Sequence, residues 1–215
     1  MWSKEFDAEI MAAKRNVMLE KGFEIFTQRG IEPVSMQNIA DAAGCGIATL
    51  YRYFDKKQGF VIEVAMKKWN EIRELNRERR EKADIAGMTA AQLFEFYLDG
   101  FLLLYREKKD LLRFNQMFNI YVEGAGIDKT SLEPYYGMID NFGENFRLIY
   151  ERAKTDRTVR TDIPETEMFS TTLHLMLAAV TRYAVGLVYK PEAGFDDMKE
   201  LETLKAMMLM MYRKG

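Results

Sequence analysis

Apolar side chains recur every three or four positions along nearly the whole chain, with charged and polar side chains between them. This spacing places the apolar residues on one face of an α-helix, whereas the period of two that is typical of strands is not found. The pattern therefore predicts an all-α protein of about nine helices. The predicted helices span 8–28, 36–43, 47–54, 60–82, 90–106, 109–121, 131–154, 165–189 and 195–213. Thr89 with Gln92 is the predicted cap of the fifth helix, and Thr130 with Glu133 is the predicted capping box of the seventh.

The second and third helices are short, and a glycine separates them. Ser35 is a good N-cap, because its hydroxyl can accept a hydrogen bond from a free backbone N–H one turn ahead. Val34 and Ile39 stand where a hydrophobic staple would close over this cap. Gly44 then ends the helix, since glycine adopts the left-handed conformation of a C-terminal cap at little cost.

The residues on either side of this glycine favour close packing of the two helices. Ala40 is small and precedes Gly44 by four positions, while Leu50 is apolar and follows it by six. Such a pair, joined by a tight turn, is typical of a DNA-reading helix-turn-helix. An ordinary helical hairpin is the alternative, and the combined spacing fits it less well.

Two runs of residues here resemble the DNA-binding domain of TetR-type transcriptional regulators: 23–30 (FEIFTQRG) and 50–57 (LYRYFDKK). The resemblance covers about a quarter of the chain. It implies a three-helix DNA-binding domain over residues 1–57. It also implies a helical domain over 58–215 that binds an effector and forms a dimer. Beyond Lys57, only the length and the helical character agree with the family.

The resemblance also implies which side chains contact DNA. Thr49, Tyr53 and Lys57 are the expected phosphate contacts, since hydroxyls and an ammonium suit that role. The positions expected to meet base edges are Gln37, Ala48, Tyr51 and Arg52, and the cap residue Ser35 completes the expected DNA-binding set. Leu50 and Phe54 are expected in the core, and both tyrosines are expected to be at least partly exposed. The alternative is that one of the two tyrosines packs inward with Phe54.

Three positions in the turn and third helix depart from the usual pattern of the family. Gly46 stands where a serine or threonine cap is usual, and Ile47 replaces a residue that is often lysine or another polar residue. One cationic contact to DNA is therefore expected to be missing. Cys45 stands where valine is common. A redox switch is one reading, and a small buried apolar side chain is the more frequent one.

Composition argues against catalysis and secretion. The chain has 215 residues with a net charge of −2, one cysteine and one histidine, so an internal disulfide is impossible. We find no glycine-rich phosphate loop and no metal-ligand pair, and we expect no enzyme, no cofactor and no metal. The first seven residues carry mixed charges and predict no signal peptide. The apolar stretch 173–188 is too short to span a membrane, so we expect a soluble cytoplasmic protein.

The last two helices carry more apolar surface than one chain can bury. The helix over 165–188 is apolar nearly all round, and the final helix adds Met207, Met208 and Met211. A helix without a polar face must be covered on both sides. We therefore expect a homodimer built from these two helices, which agrees with what the resemblance implies.

The middle helices are rich in aromatic residues, where the family encloses a small effector. Polar groups that interrupt apolar helices are the better candidates for effector contacts. The candidate set is Asn115, Phe118, Tyr121, Phe146, Arg147, Thr171 and His174. The alternative for each residue is an ordinary place in the core or the dimer interface.

The expected function is that of a ligand-responsive DNA-binding transcriptional regulator. It is expected to be a repressor that a small, largely apolar effector releases from its operator. The alternative is an all-α small-molecule-binding protein or scaffold whose helix-turn-helix no longer reads DNA.

Overall fold

The computed structural model describes residues 4–214, apart from the side chains at positions 4, 5, 140–142 and 145. Within this part of the chain we find nine α-helices and one 3₁₀ turn, so the prediction of an all-α protein is confirmed. The α-helices are α1 (Lys4–Arg29), α2 (Met36–Ala42), α3 (Ile47–Tyr53), α4 (Lys57–Glu81), α5 (Ala90–Glu107), α6 (Lys109–Gly124), α7 (Glu133–Asp156), α8 (Glu165–Val185) and α9 (Asp197–Tyr212). The predicted absence of a signal peptide concerns a segment that includes residues 1–3, which lie outside the described residues.

Two of the predicted helix starts are confirmed in detail. At α2 the Ser35 hydroxyl accepts from the backbone N–H of Asn38, and the Asn38 side chain accepts from the Ser35 backbone N–H. At α5 Thr89 and Gln92 form the same reciprocal pair. Such a capping box satisfies two backbone donors that the first turn of a helix leaves free.

Several predicted boundaries are wrong: α1 begins at Lys4 and not at residue 8, α4 begins at Lys57 and not at residue 60, and α6 continues to Gly124 beyond residue 121. Two further boundaries are wrong for a local reason that the structure shows. Thr130 does not cap α7: Asp128 instead caps a 3₁₀ turn over Lys129–Leu132, and α7 begins directly after it. The eighth helix ends at Val185, four residues before the predicted end. Gly186 follows with φ 108°, a backbone conformation that breaks the helix and that residues with a Cβ rarely adopt.

The described chain forms two compact units. The first contains Met1–Glu71 and Phe114–Tyr136. Its core is aromatic: the Phe60 ring meets the Phe54 ring edge-on at 4.7 Å between centroids and the Phe26 ring at 6.1 Å. Edge-to-face pairs of this kind add to the stabilisation that burial alone provides. These rings join α1, the end of α3 and α4.

Gly22 allows α1 to lie against α4 inside the first unit. A Cβ at this position would come within 2.3 Å of Cε1 of Phe60. The helix therefore accepts the propensity cost of an internal glycine in exchange for close packing on a buried ring.

A charged network joins the same two helices. The Glu20 carboxylate accepts from Lys68 at 2.6 Å and pairs with Lys67 at 2.7 Å, and both ammonium groups also pair with Glu71. Partial burial alone would raise the pKa of the Glu20 carboxyl, but the hydrogen bonds from the two lysines outweigh burial and lower this pKa to about 2.

The second unit contains Ile72–Arg113 and Gly137–Gly215, and within it α5 packs against both α8 and α9. Phe146 is fully buried there, with ring centroids 5.8 Å from Phe94 and 5.7 Å from Phe169. Arg113 donates to the carbonyl of Ala184 at 2.6 Å and so satisfies one of the free carbonyls at the end of α8.

Candidate nucleic-acid interface

A tight turn connects α2 to α3. The Gly44 N–H donates to the carbonyl of Asp41 at 3.1 Å, and the Cys45 N–H donates to that of Ala40 at 3.0 Å. With φ 65° at Gly44, these two bonds form a Schellman motif, which satisfies carbonyls at the end of α2. The predicted role of Gly44 as helix terminator is confirmed.

The next helix, α3, begins without help from a side chain. Gly46 is its N-cap, in an extended conformation, and supplies no side-chain hydrogen bond. This is the weak cap that the sequence predicts at this position. The following residue is Ile47, which is half-buried. Because it is apolar, this position offers no cationic contact to DNA.

One face of α3 is buried and the opposite face is open. Leu50 is completely buried, while Ala48, Tyr51 and Arg52 are exposed, with 51% of Tyr51 accessible. Because successive residues turn by about 100°, Ala48 and Arg52 point directly away from Leu50. The Arg52 guanidinium has no hydrogen-bond or ion-pair partner among the described residues. This face is therefore free to meet another molecule.

Thr49 and Tyr53 lie one turn apart on the flank of that open face. Both are half-buried, and the Tyr53 ring leans against the buried Phe54 at 6.4 Å between centroids. Leu50 and Phe54 form part of the core and Tyr51 is exposed, as predicted. The flank thus presents two hydroxyls beside the exposed guanidinium.

Gln37 and Ser35 stand at the start of α2, and both are exposed. The Gln37 amide donates to the Asp41 carboxylate at 2.7 Å within the same helix. Gln37 would therefore give up this hydrogen bond in order to contact a base edge. The Ser35 hydroxyl is already engaged with Asn38 as a cap. The structure therefore gives Ser35 a local role in holding the helix start.

Lys57 is the first residue of α4, and its ammonium group is held from two sides. Nζ donates to the carbonyl of Glu32 at 2.9 Å and lies 5.4 Å from the centroid of the Tyr121 ring. Burial lowers the pKa of this ammonium, and the Glu32 carboxylate opposes that shift. Lys57 is thus a half-buried cation with a defined position.

Residues 18–64 match the family model described as bacterial regulatory proteins, tetR family. The matched segment contains the last part of α1, all of α2 and α3, and the start of α4. The match is confined to this segment, so it shows similarity to the TetR family over the helix-turn-helix part of the chain. The resemblance that the two sequence runs carry is therefore confirmed for this segment.

Individual relatives are likewise similar to this chain over only part of their length. An uncharacterized HTH-type transcriptional regulator of Mycobacterium tuberculosis (strain H37Rv) is 48% identical over 48 residues, which are 22% of this chain and 23% of the relative. The HTH-type transcriptional repressor KstR of the same organism is 27% identical over 137 residues, or 64% of this chain and 60% of the relative. The first match thus spans about a quarter of the relative's length.

A solved structure extends the likeness of fold to most of the chain. The crystal structure of AibR in complex with isovaleryl coenzyme A and operator DNA has a TM-score of 0.64, with 18% sequence identity. The likeness covers 90% of this chain and 97% of AibR. At this level of identity, the comparison establishes the fold.

Three of the candidate effector contacts lie in the first unit. Asn115 is buried, and its Oδ1 accepts from the Trp69 indole at 3.2 Å and from the Tyr135 hydroxyl at 3.5 Å. Phe118 is buried 5.0 Å from the Tyr135 ring, between centroids, and Tyr121 lies under Lys57. Burial raises the pKa of Tyr135 to about 12, so its hydroxyl is a neutral donor at physiological pH.

The other four candidates lie in the second unit, and the structure does not bring them together. Phe146 is fully buried and Thr171 is half-buried. Arg147 is exposed and lies 3.9 Å from Glu165, while His174 is exposed on α8. Only Phe146 among these four lies in the core of its unit.

Thr172 is a buried polar residue that the sequence analysis does not identify. Its Oγ1 has no hydrogen-bond partner among the described residues, although the side chain is completely buried. A buried hydroxyl without a partner is unusual and costly. Its position four residues from Met168 and from Met176 marks it as part of the inward stripe of α8, and this signal was available in the sequence.

Neither a metal site nor a membrane span is evident in the described part of the chain. Between residues 4 and 214 no three His, Cys, Asp or Glu side chains are placed so that they could hold a metal ion. In the same range no helix combines the length and the apolar character that a membrane crossing requires.

Proposed function

We propose that this protein is a homodimeric transcriptional regulator of the TetR type that binds an operator through α3 and is released from it by a small, largely apolar effector. The single observation that carries the proposal is the open face of α3, where Ala48, Tyr51 and Arg52 stand opposite the buried Leu50 within the family-matching segment. The name of KstR as a repressor and the operator DNA bound to AibR support this direction.

The chemistry of the side chains on this surface separates the proposed base contacts from the proposed phosphate contacts. Arg52 is a free guanidinium that can donate twice to guanine O6 and N7, Gln37 can pair with adenine, and the Ala48 methyl can meet a thymine methyl. Thr49, Tyr53 and Lys57 offer hydroxyls and an ammonium to phosphates, which set register and supply salt-dependent affinity. Tyr51 is exposed enough to reach a base edge.

Pairing of two chains is the second part of the proposal. Large apolar side chains remain exposed on α8 and α9: Leu175, Met207, Met210 and Met211. An exposed apolar patch of this kind indicates a protein interface. A dimer presents two α3 helices related by twofold symmetry. Half-sites about 34 Å apart in successive major grooves require such a pair. Sedimentation velocity tests this: Met207→Lys combined with Met211→Lys should give monomers, whereas Ile120→Lys on α6 should leave the dimer intact.

The effector is proposed to bind where polar groups stand among aromatic rings. In the first unit Asn115 offers its amide among aromatic rings, and in the second unit Thr172 offers an unpaired hydroxyl on the inward side of α8. An effector shifts the equilibrium only if it binds the DNA-incompetent state more tightly. Thr172→Val keeps the shape and removes the hydroxyl, so it should weaken effector binding and leave stability unchanged or higher.

The decisive experiment is selection of a binding site from random DNA, followed by gel-shift titration at several salt concentrations. We expect an inverted-repeat site and an affinity that falls steeply with salt. Failure to enrich any sequence, together with the absence of salt-sensitive binding, would refute the proposed function as a DNA-binding regulator. Tight effector binding without DNA binding would support the alternative, a small-molecule-binding protein whose helix-turn-helix no longer reads DNA. A non-enzymatic role and a cytoplasmic location belong to the same proposal.

A further inference from the structure

The ammonium of Lys57 is more constrained than a phosphate-binding lysine on a surface needs to be. Its carbon chain begins at the first residue of α4, and its Nζ has two partners from elsewhere in the first unit. One partner is the carbonyl of Glu32, and the other is the face of the Tyr121 ring, 5.4 Å away at its centroid. Both contacts hold the ammonium in one place.

Such restraint matters because a free lysine side chain samples many rotamers. Ordering it on a phosphate costs conformational entropy. An ammonium has three N–H donors. One donates to the Glu32 carbonyl, the ring face attracts the positive charge, and at least one N–H remains for a phosphate oxygen. The lysine side chain is therefore already ordered in the free protein, before it binds DNA.

Tyr121 is suited to this role by its own surroundings. Its side chain is only 9% exposed, so the ring is held by packing. Burial and the nearby Glu32 carboxylate raise the pKa of the Tyr121 phenol above its ordinary value of 10. The phenol is therefore neutral at physiological pH, and the ring acts on Lys57 through its face.

We infer that Tyr121 is a positioning residue for DNA binding: its ring holds the Lys57 ammonium at the place where it meets an operator phosphate. The inference rests on the proposed function. It gives Tyr121 a role in DNA affinity that is separate from its candidacy as an effector contact. The residue acts on DNA only through Lys57.

The test compares Tyr121→Leu, which removes the ring, with Tyr121→Phe, which keeps the ring face and removes the hydroxyl. The probe is the duplex recovered by selection from random DNA. We expect Tyr121→Leu to weaken binding about three- to tenfold, by a similar factor on the selected site and on unrelated duplexes. Tyr121→Phe should stay within about twofold of the wild type.

A double-mutant cycle separates positioning from a structural role. In a Lys57→Ala background, Tyr121→Leu should cause no further loss, because no ammonium is left to position. An undiminished loss in that background would overturn the inference, as would wild-type affinity for Tyr121→Leu. Tyr121→Met replaces the leucine variant if circular dichroism shows that leucine disturbs the fold. Failure of the wild type to bind any duplex would instead refute the proposed function.

Discussion

The indole N–H of Trp69 donates a hydrogen bond of 3.2 Å to Oδ1 of Asn115, a residue 46 positions further along the chain. Both side chains are buried, so each satisfies a polar group of the other away from water. The bond joins α4 to α6 inside the first unit. It is the kind of contact that specifies one arrangement of two apolar helices.

Asn115→Ala should lower the free energy of unfolding by about 1–3 kcal/mol, because it leaves the Trp69 donor buried without this acceptor. Urea denaturation followed by circular dichroism measures the change. In a Trp69→Phe background the same substitution should cost less, since the donor is already absent. Equal costs in both backgrounds would show that the hydrogen bond contributes nothing beyond packing.

Arg52→Ala and Tyr53→Phe should separate base reading from phosphate binding. Removing the free guanidinium of Arg52 should lower discrimination at one base position by about 1–3 kcal/mol. Removing the Tyr53 hydroxyl should weaken binding by a similar factor on every duplex. Competition gel shifts with single-base variants of the selected site measure both effects. A uniform loss for Arg52→Ala would contradict a base-reading role.

The two caps of the helix-turn-helix should respond in opposite directions. Ser35→Ala removes the hydroxyl bonded to Asn38 and should destabilise the protein by about 1 kcal/mol. Gly46→Ser places a hydroxyl at an extended N-cap with open space around its Cβ, and should stabilise by a few tenths of a kcal/mol, about 1 at most. Thermal melting measures both, and a Gly46→Ser protein that melts lower would show that a side chain is not tolerated there.

Gly22 and Gly59 form a matched pair, since both are internal glycines of long helices. Gly22→Ala should destabilise the first unit by about 1–3 kcal/mol, because the new methyl would meet the Phe60 ring. Gly59→Ala has open space around it and should stabilise by up to about 1 kcal/mol. Equal behaviour of the two variants in urea denaturation would mean that α1 and α4 can move apart freely.

Glu20 should make stability depend on acid pH. Its pKa is about 2 in the folded chain against an ordinary 4.5, so its stabilising contribution is complete above pH 4.5 and is lost as the pH falls towards 2. Glu20→Gln should therefore show a shallower loss of stability across this range than the wild type. Glu24→Gln, on the exposed side of α1, should retain the wild-type slope. Parallel slopes for wild type and Glu20→Gln would exclude the predicted contribution.

The elements that the sequence predicts well depend on residues within a few positions of one another. The Ser35 cap, the Thr89 capping box and the Gly44 terminator are all local, and all three are confirmed. The prediction of a helix boundary failed where a second capping or helix-breaking residue lies a few positions away. Asp128 caps a 3₁₀ turn ahead of Thr130, and Gly186 ends α8 although apolar residues continue beyond it.

The candidate DNA surface could also be predicted from the sequence, because its exposed positions follow from the period of a single helix. Leu50 and Phe54 face inward, so Ala48, Tyr51 and Arg52 face outward. The candidate effector residues were harder to place. An apolar period says which face of a helix is buried, but it does not say which other helix covers it.

By itself, the sequence determined the helical class, the caps and turn of the helix-turn-helix, and the open face of α3. Each of these depends on local hydrogen bonds or on the turn of one helix. Only the tertiary structure decided that Asn115 pairs with Trp69 and that Lys57 lies over Tyr121. Those relationships join residues distant in the chain, and they arise from how whole helices pack, which the spacing within one helix does not encode.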